Sequence, residues 1–440
     1  MEFKNLRIKE LKLTLLCIII GVFSGLSAVI FRWMVQSFHN LMWKEVKQWF
    51  SFTGRISNLI IPIIGLLIVS TFIRYTLERN NQKHGVTEVI RVLNKRDGKI
   101  PYYIAPVEAI ASSLCIGSGG SVGPEGPMVQ IGAGVGSSIG QIFKISSDEL
   151  KLLAAAGASG GLSAIFNAPL AGIFFAMEAL VKKLHCKIFF YFALSSITAT
   201  QIYRLFYGNK HLLNITEAFW GSWQELFIFL MLGIFGGIIV TVFIFSVNTA
   251  ESKLKGLAFH SVLSPMAGGA ILGLFALYLP HVLGEGYETI ATTLKNNIPM
   301  EIILLIIILK IFATSITLGT GGSGGVFAPS LVLGALLGSG ISNFAANFFS
   351  NIMGSHETYI AAGITAVLSS VFSAPITAVI MVIELANNYE IALPLMVASV
   401  SASYINNLFF KECSIYEIDL VKNGIRDKET EYFFRKSSVS

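Results

Sequence analysis

Along the chain the apolar residues gather into runs of two kinds. The first two, residues 13–35 and 56–75, are long enough for helices that cross a membrane, whose ~30 Å hydrocarbon core takes about 20 helical residues. From Tyr102 onward the runs shorten and are cut by glycine, proline and serine: 107–116, 128–143, 150–166, 170–181 and 188–207. The alternation starts again after Phe219, with 226–245, 266–279, 302–318, 326–349, 359–372, 376–385 and 391–410. Several of these are too short to span upright, so the pattern predicts tilted or half-membrane helices whose ends meet near the midplane. The polar stretch 77–99 reads as a connection, and the aromatic-rich 43–52 as an interfacial segment.

The two halves repeat each other. Gly117, Gly119, Gly120, Ser121, Gly123 and Pro127 recur as Gly319, Gly321, Gly322, Ser323, Gly325 and Pro329, each 202 residues further on. At a spacing of 206, Ala155, Gly157, Phe166, Pro169 and Glu178 recur as Ala361, Gly363, Phe372, Pro375 and Glu384. Repeats interrupted by glycine and proline at corresponding places are a sequence pointer to a transport site between two arms. The chain therefore divides into repeat one, about 1–215, repeat two, about 216–420, and a short tail, 421–440; spacing alone leaves parallel and inverted arrangements open. Where Glu125 stands in the first arm, Phe327 stands in the second.

Composition narrows the class. With 53% hydrophobic and 13% charged residues and a mean hydropathy of +0.68, the chain is too apolar for a soluble globule. It reads as an all-α, polytopic integral membrane protein. The net charge of +6 sits at the edges of the spans: Lys4, Arg7, Lys9 and Lys12 before the first, Arg74 to Lys99 after the second, Lys411 to Lys436 near the end. The positive-inside rule puts these clusters and both termini in the cytoplasm. They flank spans without aromatic interleaving, which argues against a nucleic-acid partner. Residues 13–35 are long for a signal-peptide core and lack a cleavage site, so a retained first helix is expected. Cys17, Cys115, Cys186 and Cys413 are scattered and imply neither a disulfide framework nor a metal cluster.

The candidate chemistry lies in residues 117–127, where Glu125 stands alone among glycines and prolines, with no other charge until Lys144. Glycines let main-chain N–H groups turn into one concavity, and a helix opening near Pro124 leaves amides unpaired at its positive end. That is an anion site made of backbone, which an ionised Glu125 could occupy and a protonated one leave. The competing reading is a tight turn with a glutamate facing water. Other chemistries fare worse. Gly319, Gly321 and Gly324 have the spacing of a dinucleotide loop but follow no strand, and no phosphate-binding Gly-Lys-Ser/Thr loop is found. The seven histidines lie apart, so a metal-dependent membrane enzyme is not expected, nor is any cofactor. A cation transporter would call for an acidic ring, which is not evident.

These residues resemble the CLC family of chloride channels and proton-coupled chloride transporters. The stretch 123–127 resembles its gating-glutamate motif, 325–329 its second anion-binding loop, and 167–172 and Tyr416 also fit; the resemblance runs from about Leu13 to Leu420. It implies two inverted repeats, a homodimer with one pore per subunit, Glu125 as gate and proton acceptor, and chloride or a similar anion held by Gly123, Gly126, the amides of Val326 and Phe327, and the Tyr416 hydroxyl. It implies a bacterial cell membrane, contact with lipid, and H+/anion antiport, with a passive voltage- or pH-gated anion channel as the alternative. With about twenty residues after Leu420, the family's cytoplasmic nucleotide-binding pair is not expected. Four departures stand out. The loop whose serine holds the central anion falls on residues 83–87, so that His84 and Gly85 take its place. Pro124 replaces a basic residue. The inner proton-transfer glutamate maps onto Ala179, with Glu178 one place before it. Glu108 stands where a lysine is frequent, and its repeat equivalent is Lys310, which predicts a buried Glu108–Lys310 ion pair across the two-fold.

Overall fold

The computed structural model describes residues 2–49, 56–77, 85–209, 213, 215, 218–254, 262–410 and 414–422. Nearly every apolar run is a helix. In the first half these are α1 (Glu2–Asn40), α2 (Ser57–Thr76), α3 (Val86–Lys95), α4 (Ile104–Gly117), α5 (Glu125–Ile142), α6 (Ser147–Phe166), α7 (Pro169–Phe175) and α8 (Cys186–Tyr207). The second half repeats the order with α9 (Glu225–Leu254), α10 (Leu263–Tyr278), α11 (Tyr287–Leu294), α12 (Met300–Gly319), α13 (Phe327–Phe349), α14 (His356–Phe372), α15 (Pro375–Ala386) and α16 (Ala392–Phe410). A short α17 (Ile418–Lys422) follows. The α1 rod continues through a π-helical turn, Leu41–Val46, whose Trp43 donates its indole N–H to Gly117 O (3.1 Å). That residue thus braces the glycine loop.

Local chemistry explains the breaks. Asn167 and Ser373, 206 residues apart, end α6 and α14 in the left-handed region, with φ of 58° and 50°, and two residues later Pro169 and Pro375 open the next helix. Proline lacks the N–H that a first helical turn leaves unpaired in any case, so it starts a helix without loss. Helix α3 corrects the reading of 77–99 as a plain connection. Val86, Val89, Ile90 and Leu93 recur at helical spacing and are buried, while Arg91 and Arg96 hold the buried Glu88 (3.1 and 3.2 Å).

The two halves are related by a two-fold. The evidence is reciprocal contact between equivalent residues. Gly123 and Gly325 form an isolated antiparallel bridge. Glu178 accepts from the N–H groups of Ile376 (3.2 Å) and Thr377 (2.8 Å) at the start of α15, and Glu384 accepts from those of Leu170 (3.0 Å) and Ala171 (2.7 Å) at the start of α7. A two-fold relating the arms makes both contacts at once. Small residues let the helices close up: a Cβ at Gly132 would lie 2.2 Å from Gly157 O, and one at Gly334 2.6 Å from its equivalent, Gly363 O.

Six helices among the described residues are long and apolar enough to cross a membrane, and four shorter apolar ones lie between them. Large apolar side chains such as Phe23, Phe235, Phe245, Leu304 and Phe312 face outward, as lipid contact requires. The protein is an integral membrane protein of two inverted helical repeats.

Candidate functional site

The glycine loops of the two arms meet on the two-fold. Gly123 N–H donates to Gly325 O (2.7 Å) and Gly325 N–H to Gly123 O (2.8 Å). Each loop makes the same turn, with Gly119 and Gly321 both at φ +97°, a conformation that L side chains rarely adopt. No side chain fits between them: a Cβ at Gly126 would lie 2.8 Å from Gly325 Cα, and one at Gly325 2.7 Å from Gly126 N. Helices α5 and α13 therefore open side by side, with the unpaired amides of two first turns close together in a buried place.

Glu125 occupies that place and is fully buried. Its Oε1 accepts a hydrogen bond from the Tyr287 hydroxyl of α11, in the other half of the chain. Oε2 has no hydrogen-bond partner among the described residues, and the Cβ position of Gly123 that it crowds lies 3.0 Å from Ala328 N, so the carboxylate sits against the starts of both helices. A Cβ at Gly123 would lie 2.1 Å from Oε2, so glycine is what leaves room for the carboxylate.

Beyond Glu125 the wall is aromatic. Phe327, the first residue of α13, packs on Phe166 (ring centroids 4.8 Å apart) and Phe372 (4.5 Å), and Phe372 stacks on Tyr416 (5.6 Å, 10° between planes). Val326 caps α13 and is buried. The Tyr416 hydroxyl is buried with no hydrogen-bond partner among the described residues, and it lies within reach of the Glu125 charge. Gly85, which caps α3 at φ +82°, donates its N–H to Gln130 Oε1 of α5. That amide, expected at the anion, is thus engaged by a side chain. The bond also fixes the Gln130 carboxamide, because an N–H can meet only its oxygen; the Nε2 group is left buried and unpartnered. Gln130 went unnoticed in the sequence because a glutamine one turn beyond Gly126 carries no motif of its own. His84 lies outside the described residues, as do Cys413 and residues 423–440 of the expected tail.

The expected ion pair does not form. Lys310 Nζ donates to Val282 O (3.1 Å) and Gly284 O (3.0 Å), whereas Glu108 Oε1 accepts from Ser112 (3.1 Å) and Ser323 (3.2 Å). The two-fold relates the backbones of α4 and α12, but each side chain follows its own neighbours, and the loop before α11 offers Lys310 two carbonyls. Where the proton-transfer glutamate was expected, Ala179 is buried and carries no titratable group, and Glu178 is engaged as the cap of α15, with the Thr377 hydroxyl as a further donor (2.7 Å).

Toward the end of the molecule remote from the N-terminus of α1 lies a cavity of about 680 Å³, lined by Arg32, His39, Gly119, Glu285 and Tyr287 among others. Arg32 Nη1 lies 3.9 Å from Glu285 Oε2. Tyr287 faces this cavity and also touches Glu125, and sequence reasoning missed it. Its only signal was its place after Gly286, matching Val86 after Gly85.

Comparison with known proteins agrees with this geometry. Residues 64–407 match the family described as Voltage gated chloride channel. The chain is 31% identical over 357 residues to the H(+)/Cl(-) exchange transporter ClcA of Yersinia pestis, covering 80% of this chain and 74% of that one. To the ClcA of Vibrio cholerae it is 29% identical over 403 residues, 88% of this chain and 84% of the relative. Among solved structures, a slow cyanobacterial Cl-/H+ antiporter superposes with a TM-score of 0.84 at 22% identity, covering 93% of this chain and 97% of the other. A CLC-type fluoride/proton antiporter superposes with a TM-score of 0.77 at 22% identity, covering 92% and 96%. With its inverted repeats, its paired glycine loops and a match over most of its length, the chain belongs to the voltage gated chloride channel family, the CLC family.

Proposed function

We propose that this protein exchanges protons for chloride or a similar small anion, with Glu125 as gate and proton carrier. The observation that carries the proposal is the setting of Glu125: one buried carboxylate lodged between the starts of two helices, in a region that also holds two buried donors, Tyr416 Oη and Gln130 Nε2, with no acceptor among the described residues. A dehydrated anion is an acceptor and nothing else, so donors of this kind suit it, whereas a cation would need oxygens. The carboxylate competes with the anion for the space between the helix starts while ionised and leaves it once it carries a proton. Gly123, Gly126 and the amides of Val326 and Phe327 complete the anion's surroundings.

The names of the relatives in Yersinia and Vibrio support exchange over passive conduction. On this reading protons from the inner side reach Glu125 without a carboxylate at 178 or 179, since Glu178 is spent on the α15 cap. The family resemblance supports a homodimer with one pathway per subunit and residues 1–420 as one transport unit followed by a tail. The basic flanks of the spans support cytoplasmic termini in a bacterial cell membrane. The test is reconstitution in liposomes, recording chloride efflux and external pH together. Wild type is expected to move protons uphill on a chloride gradient, and Glu125→Gln to pass chloride with no proton movement. Chloride flux without proton movement in both would overturn exchange in favour of a channel.

A further inference from the structure

Behind Tyr287 the structure keeps more charge inside the protein than a simple turn requires. The loop leading into α11 is held from three sides. From α12 the fully buried Lys310 donates to the carbonyls of Val282 and Gly284 (3.1 and 3.0 Å). From α1, Arg32 approaches Glu285 (3.9 Å). On α13, Val332 lies so close that a Cβ at Gly286 would come within 2.5 Å of its Cγ2, and Gly286 sits at φ +84°. Buried charges are expensive and persist where they fix something. What this loop presents to the site is the Tyr287 hydroxyl, bonded to Glu125 Oε1.

We propose that Tyr287 is the outer latch of the gate: its hydroxyl, held in place by the Lys310-anchored loop, keeps the ionised Glu125 seated between the two helix starts, and Glu125 leaves only when this bond breaks. The proposal rests on the reading of Glu125 as the gate. A phenol fits the role. It donates to a carboxylate without bringing a charge of its own, and the bond is strongest for the ionised acceptor. The same residue lines the 680 Å³ cavity, so it stands between that space and Glu125. The groups facing Glu125 are Tyr287 on α11, Glu285 in the loop before it and Tyr416 ahead of α17, with Arg32 and Lys310 acting on Glu285 from α1 and α12. Tyr287→Phe removes one donor to the ionised carboxylate and no charge from this set. The proton then binds Glu125 more readily, and opening extends to more alkaline medium.

The experiment is chloride efflux from liposomes across a pH series for wild type, Tyr287→Phe, Glu125→Gln and the double variant. Tyr287→Phe is expected to raise flux in mildly alkaline medium about tenfold, the worth of a hydrogen bond to a charged group, and to carry the profile toward higher pH. In the Glu125→Gln background the same change is expected to do nothing further. A wild-type profile in Tyr287→Phe, or an equal effect in both backgrounds, would overturn the latch while leaving the gate intact. Proton movement surviving in Glu125→Gln would overturn the gate, and the latch with it. Should Tyr287→Phe fail to fold, 4-aminophenylalanine at 287, a weaker donor of nearly the same shape that stays neutral in alkaline medium, reads the same bond: higher flux in alkaline medium supports the latch, and unchanged flux overturns it.

Discussion

The starts of α5 and α13 are built on the same backbone and do different things. Both follow a glycine loop with a residue at φ +97°, both are crossed by the Gly123–Gly325 bridge, and both carry proline at the third helical position. Yet where α5 has Glu125 and Gln130, α13 has Phe327 and Val332 at the equivalent positions. The partner elements differ in the opposite sense. Gly85 of the first half gives its N–H to Gln130, whereas Gly286 of the second packs on Val332, and it is Tyr287, matching Val86, that reaches across to Glu125. Duplication supplied two positive helix ends; divergence at a few side chains made one of them titratable and the other an apolar wall. On the proposed reading, that difference is what gives a two-fold frame a gated pathway.

The largest expected effect comes from erasing the difference. Glu125→Gln leaves both helix starts without a titratable group, and uphill proton movement is expected to vanish altogether while chloride still flows, read as simultaneous efflux and pH traces. Next is the shared frame. Ala at Gly325 would put a Cβ 2.7 Å from Gly126 N, and Ala at Gly123 one 2.1 Å from Glu125 Oε2. Each is expected to cost roughly 1–3 kcal/mol of thermal or denaturant stability, but Gly123→Ala is also expected to alter pH dependence, because it alone presses on the gate. An equal effect of both on the pH profile would contradict the asymmetry.

A smaller effect separates Gln130 from Val332. Gln130→Leu removes a buried donor and strands the Gly85 N–H, so anion affinity by titration calorimetry is expected to fall about tenfold, whereas Val332→Ile is expected to leave it unchanged. The smallest concerns the caps. Glu178→Gln and Glu384→Gln each weaken a helix start by about 1 kcal/mol, with the proton-to-chloride ratio unaltered in both. A ratio that changes for Glu178→Gln alone would mean that the residue carries protons and does not merely cap.

Much of this was legible in the sequence because a two-fold of backbone elements writes itself as a constant spacing. The Gly117 and Gly319 stretches, the Pro169 and Pro375 breaks, and Glu125 against Phe327 were all readable from identity and position. Side-chain partners were not. Glu108 and Lys310 are equivalent by spacing, but the partners of Lys310 are two carbonyls in a loop some 26 residues away, and no repeat predicts that choice. The short helices α3 and α11 are amphipathic and stand among polar residues, so run length passed over them, and with them Tyr287. Gln130 carries meaning only once Gly85 is seen against its oxygen.

The central claim is that the two helix starts surround one anion. Anomalous diffraction from crystals of the Glu125→Gln variant grown in bromide measures this directly. The account predicts a bromide peak within hydrogen-bond distance of Tyr416 Oη and the amides of Val326 and Phe327, with Gln130 Nε2 turned to the same space. Well-ordered density with no bromide there, or bromide bound only in the cavity beside Arg32, would contradict it.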